Sequence, residues 1–143
     1  MMPRRRPTLV ATALLLALSG CGGTVAPNAG KPTPQAESMQ RMLANVITLR
    51  GYATGAGSQE VAQVAATELV AWSDQMATLF PPETAAKYVD MTPDISRRAP
   101  PVMRATAKAV EAAVRAGNRP DAGTQLARAE RDGCGFCHRR GYE

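Results

Sequence analysis

Apolar residues recur at helical spacing in four stretches of this chain, and nowhere do they alternate at period two over a useful length. In the first stretch Met39, Met42-Leu43, Val46 and Leu49 share one face of a helix predicted from about Pro34 to Ala53. Thr33 is its expected N-cap and Pro34 its first helical residue. Gly55-Ala56-Gly57-Ser58 breaks the pattern, and Ser58 can cap a second helix. Its inward positions read Val61, Val64-Ala65, Leu69, Trp72, Met76 and Leu79-Phe80, and Pro81-Pro82 stops it. Glu83 to Ala99 reads as irregular, with room for a short turn from Thr84 to Val89; Pro93 argues against a long helix there. A third helix is expected to open at Pro100-Pro101 and end at Gly117, facing inward through Val102-Met103, Thr106, Ala109-Val110 and Ala113-Val114. Thr106 is the polar member of that stripe, and its hydroxyl can bond back to a carbonyl one turn earlier. A fourth helix follows Pro120, with Asp121 as expected N-cap, and runs through Leu126, Ala127 and Glu130 to His138.

Four helices with short connections predict an all-α fold, an up-down-up-down antiparallel four-helix bundle. In that topology the last helix ends beside the start of the first. The segment Cys134 to His138 is therefore expected to face Met39 and Met42.

The N-terminus changes the reading of charge. Arg4, Arg5 and Arg6 precede an apolar run from Leu9 to Leu18, then Ser19-Gly20 and Cys21. This is the three-part layout of a secretory signal, with an apolar core too short to span a bilayer. Leu18-Ser19-Gly20-Cys21 also resembles a bacterial lipobox. That resemblance implies cleavage before Cys21 and a diacylglycerol on its thiol, whereas a plain signal would leave an incidental cysteine. Residues 1–20 are thus assigned as lipoprotein signal peptide, 21–36 as lipidated cysteine and Gly/Pro-rich tether, and 37–143 as the helical domain. Of 17 basic residues the three signal arginines are lost, leaving 14 against 12 acidic, or +2. Without a basic block or interleaved aromatics, nucleic-acid binding has no support.

The chemistry sits at the other end, in Cys134-Gly135-Phe136-Cys137-His138, the C-x-x-C-H pattern of covalent haem attachment. Cysteines at i and i+3 share a helix face, so both sulfurs can add to the vinyl groups of one porphyrin, with His138 placed to ligate the iron. Three other uses compete. A thioredoxin-like pair follows a strand and opens a helix, which this one does not. A structural zinc site needs a fourth ligand beyond Cys134, Cys137 and His138. A local disulfide is the plainest alternative in an oxidising compartment. Trp72 reads as a core anchor, and Arg131, Arg139 and Arg140 as a solvated helix end suited also to propionates or an acidic partner.

A four-helix domain ending in C-x-x-C-H, with Leu79-Phe80-Pro81-Pro82 after its second helix and Tyr142 near its end, resembles the class II c-type cytochromes. The likeness spans about Glu37 to Tyr142 and is weakest between Glu83 and Pro101. It implies one covalent haem c on Cys134 and Cys137, His138 as proximal ligand, and either a methionine from the first helix or a vacancy on the far side. The position four residues after Arg41 is Asn45, which cannot supply a thioether; Met42, then Met39, are the candidates, and both also suit a core. The expected function is a non-enzymatic one-electron carrier between membrane oxidases or reductases. It would be lipid-anchored at the periplasmic face of a bacterial membrane, with the outer membrane compatible. A five-coordinate haem binding NO or CO is the alternative. Bundles of the family often pair through their first two helices, so the resemblance is compatible with a homodimer and leaves the oligomeric state open.

Overall fold

The computed structural model describes residues 31–83 and 92–138 of the chain. The signal, Cys21, the turn expected over Thr84–Val89, and Arg139, Arg140 and Tyr142 lie outside the described residues. Four helices pack against one another, and no strand occurs among the described residues.

Helix α1 spans Pro34–Ala53, the predicted range, with the Thr33 hydroxyl accepting from Ala36 N. Pro34 to Ala36, assigned to the tether, therefore belong to the helix. Its buried face is Ser38, Met42, Val46, Leu49 and Tyr52; Leu43, expected inside, is 52% exposed. Helix α2, Gln59–Leu79, is capped by Ser58 as expected. Its buried stripe is Ala62, Ala65, Ala66, Leu69, Ser73 and Met76, and both Val61 and Val64 face out. The reason is steric. A helix wedged between two neighbours presents its small residues to them so that the backbones can approach, and the alanine row does this where the valine row cannot.

Helix α3 departs most from expectation. It spans Pro93–Arg115, seven residues longer at its start than the Pro100 boundary, with the Thr92 hydroxyl accepting from Ile95 N at 3.3 Å. Pro93 opens the helix because a first-turn residue needs no intrahelical N–H partner. Pro100 and Pro101 lie inside it, where each removes a donor. The segment around them is held by burial of Ala99 and Met103 and by the Ser96 hydroxyl, which donates to Phe80 O. Thr106 bonds back to the Val102 and Met103 carbonyls at 3.1 and 3.0 Å. Gly117, at φ +69°, follows the end of the helix in the left-handed conformation glycine favours.

Helix α4, Arg119–Arg128, is capped by Asn118, whose Oδ1 accepts from Asp121 N at 3.1 Å. Asp121 is thus a first-turn residue rather than the cap, and its carboxylate accepts from Gln125. Leu126 is buried on this helix and Ala127 exposed. The helix does not run on uniformly: Ala129–Cys134 is a π-helical segment, and α5, Gly135–His138, resumes the α form.

The packing pairs are α1 with α2, α2 with α3, α3 with α4, and α4 with α1. Polar bonds tie the ends. Gln35 Nε2 donates to Leu79 O at 3.2 Å, and Gln59 Nε2 to Val114 O at 2.9 Å. The Arg119 guanidinium stacks 4.7 Å from the buried Tyr52 ring and donates to the Tyr52 and Gly57 carbonyls.

Candidate functional site

The π segment sets the direction of the C-x-x-C-H residues. Its i→i+5 bonds take one more residue per turn than an α-helix, a rare geometry that concentrates at functional sites. With it, Ala122, Leu126, Ala129, Gly133 and Cys137 all reach the buried side of one continuous helical rod. Gly133 makes the approach to α3 possible: a β-carbon there would lie 2.6 Å from Met103 Sδ and 3.3 Å from Thr106 Oγ1.

This packing leaves a cavity of about 280 Å³ between the end of the rod and the first three helices. Cys134, Cys137 and His138 line it on one side, and Met39, Met42, Trp72, Met76, Phe80 and Met103 on the others. The expected meeting of the C-x-x-C-H segment with Met39 and Met42 is therefore observed. A second cavity of about 380 Å³ shares Met39, Met42, Cys134 and His138 with the first. Gln40, Leu43, Val46, Arg50 and Glu130 complete its wall. Met42 is 5% exposed, Met39 is half-buried, and His138 is exposed at the rim.

Arg41 and Asn45 border a separate groove beside Trp72 and do not line either thiol-bearing cavity. Trp72 is both cavity wall and tie: its Nε1–H donates to the buried Ser38 hydroxyl at 2.7 Å, joining α2 to α1. Arg131 forks onto Asp132 at 2.8 and 2.9 Å. Arg98 sits 5.4 Å from the Phe136 ring, pinning α5 to α3. Arg50 forks onto Glu130 with two bonds of 2.8 Å, clamping α1 to the π segment next to Cys134. Sequence reasoning missed Ser38, Gly133 and this fork, because none falls on an apolar stripe and the fork spans 80 positions. A glycine directly before the first motif cysteine was the available hint for Gly133.

The two thiols are unbridged. Burial pushes Cys137 up to about 11, with Cys134 adding to the shift. Burial also raises Cys134, reinforced by the Glu130 carboxylate. Dithiol exchange needs a thiolate stabilised near neutral pH, and this environment does the opposite. Among the described residues no group of three or more His, Cys, Asp or Glu side chains is placed to hold a metal ion. What the cavity offers is two neutral thiols and an imidazole against apolar and thioether walls. No family model, curated protein or solved structure matches the chain.

Proposed function

We propose that this chain is a monohaem c-type cytochrome of the class II kind, working as a one-electron carrier. The observation that carries the reading is the shared cavity. Cys134, Cys137 and His138 line an apolar space that Met39 and Met42 also line. The donor set fits the group: two thiols for thioether attachment, an imidazole from the adjacent residue, and thioethers from another helix. The apolar walls suit a macrocycle, and the second cavity extends the space past Met39 and Met42.

In this reading Cys134 and Cys137 hold the haem, His138 is the proximal ligand, and Met42 is the distal one, with Met39 second. Bound there, the haem would supply a reversible one-electron couple, and ligation by a methionine together with a histidine would raise its potential. The chain's own part would be to present the Met42 thioether from the buried face of α1 and the His138 imidazole from α5 to the group, against apolar walls. The helices are read as an up-down-up-down antiparallel bundle with the haem near the C-terminal end of the last. Supporting this are the short connections 54–58 and 116–118 and the four neighbouring helix pairs. The lipid on Cys21 would hold the carrier at the periplasmic face, beside membrane oxidases or reductases.

Haem staining of the full chain on a denaturing gel, after expression with cytochrome maturation, tests attachment; a colourless band overturns the reading. The visible spectrum tests the far side of the iron. Low-spin Soret features with a weak far-red band are expected, and they should disappear in Met42→Leu. A high-spin spectrum in the unaltered protein would replace the carrier with a five-coordinate module that binds NO or CO.

A further inference from the structure

The four residues named above as common to both cavities, Met39, Met42, Cys134 and His138, carry two thioethers, one thiol and one imidazole on the walls of the same space. Met76, Met103 and Cys137 add three more sulfurs to the wall of the first cavity. No Asp or Glu lines that first cavity, and the one carboxylate in the wall of the second, Glu130, is engaged by the Arg50 fork. This donor set has a definite preference. Thioethers are soft, and hard or borderline cations such as Mg²⁺, Ca²⁺ and Zn²⁺ do not recruit them, whereas Cu(I) does.

We propose that the haem-free chain binds one Cu(I) ion through Met39, Met42, Cys134 and His138. This goes beyond the haem reading and does not depend on it. The step balances without any redox change: Cu(I) and the Cys134 thiol give a copper–thiolate bond and one released proton. The thioethers and an imidazole nitrogen donate lone pairs. One Cu(I) and one thiolate sum to zero charge, which an apolar wall accepts at low desolvation cost. The exposed His138 provides the route of entry. Because copper and haem would use the same thiol, occupation by one excludes the other.

The test uses the full chain with Cys21→Ser, so that the N-terminal thiol cannot contribute, produced without haem and kept anaerobic. Cu(I) is titrated against bicinchoninate, whose coloured complex reports the copper left behind, and Zn(II) binding is measured in parallel. One equivalent of Cu(I) should be withdrawn from the chelator. Met42→Leu, and separately Met39→Leu, should each weaken Cu(I) by about 10–100-fold while leaving Zn(II) binding and helicity unchanged. Unchanged Cu(I) affinity in both variants would overturn the proposal, since the cysteines alone would then be the site. An equal fall for Zn(II) would also overturn it, by tracing the effect to the fold. The haem reading fails separately, through a colourless band from cells that mature cytochromes.

Discussion

Replacing Gly133 by alanine tests whether close packing of the π segment on α3 is what places the thiols. The added methyl would start 2.6 Å from Met103 Sδ and 3.3 Å from Thr106 Oγ1, where carbon and sulfur normally keep 3.5 Å or more. Thr106 cannot yield, because its hydroxyl is held by two carbonyls on its own helix. Met103 is 2% exposed, so its sulfur can retreat only into the cavity it lines. Overpacking of this kind costs about 1–3 kcal/mol, and alanine returns up to about 1 kcal/mol through its better helix propensity. The net expectation is a loss of about 1 kcal/mol, seen as a fall in Tm of about 4–8 °C in urea-checked thermal melts. A haem in the cavity would block the retreat of Met103 and enlarge the loss. In a Met103→Val background, which removes the 2.6 Å contact and leaves the one to Thr106, the same alanine should cost less. A rise in Tm from Gly133→Ala in the natural background would refute the reasoning. An equal loss in both backgrounds would do so too.

Ser38→Ala leaves the Trp72 indole N–H without its 2.7 Å partner at a site 3% exposed, and should cost about 1–3 kcal/mol in urea unfolding, with a shifted tryptophan emission. Stability within error of the natural protein would mean the bond is replaced by solvent. Glu130→Gln breaks the charged fork to Arg50, whose side chains are 57% and 29% exposed, so screening keeps the expected loss to about 0.5–1 kcal/mol. That loss should shrink in 1 M salt, roughly a 3 Å screening length, and a salt-independent effect would contradict the ion-pair explanation. In the haem-free chain the raised Cys137 thiol makes stability pH-dependent. The unfolded chain ionises near 9.0 and the folded one at about 11, so the folded state holds more protons between these values. Stability should therefore be flat below the lower value and fall as pH climbs through the interval. Cys137→Ser should flatten that slope, and an unchanged slope would assign it elsewhere.

The parts of this fold that were legible in the chain were those governed by local chemistry. Thr33-Pro34, Ser58 and Gly117 marked helix ends correctly because a cap or a left-handed residue acts over one turn. The errors came where local rules conflict with neighbours. Pro100-Pro101 reads as a helix start, yet the helix passes through both, held by Ser96 on Phe80 and by burial of Ala99 and Met103. Val61 and Val64 read as core by hydropathy, yet alanines take the inner face because helix spacing rewards small volume. For the same reason Leu43 lies outside while the hydroxyl of Ser38 lies inside.

The thiols, the imidazole and the two first-helix methionines could all be named from spacing, since C-x-x-C-H and a 3.6-residue stripe are properties of adjacent residues. Their meeting in one cavity was an inference from topology, and only tertiary packing decided its form. The π turn that aims Cys134 and Cys137 has no sequence signature. Within it Gly133 lies close against Met103 and Thr106, and Glu130 is held by Arg50, a partner 80 positions away. Identity of the donor groups is therefore a local property. The space between them is set by contacts that no window of sequence contains.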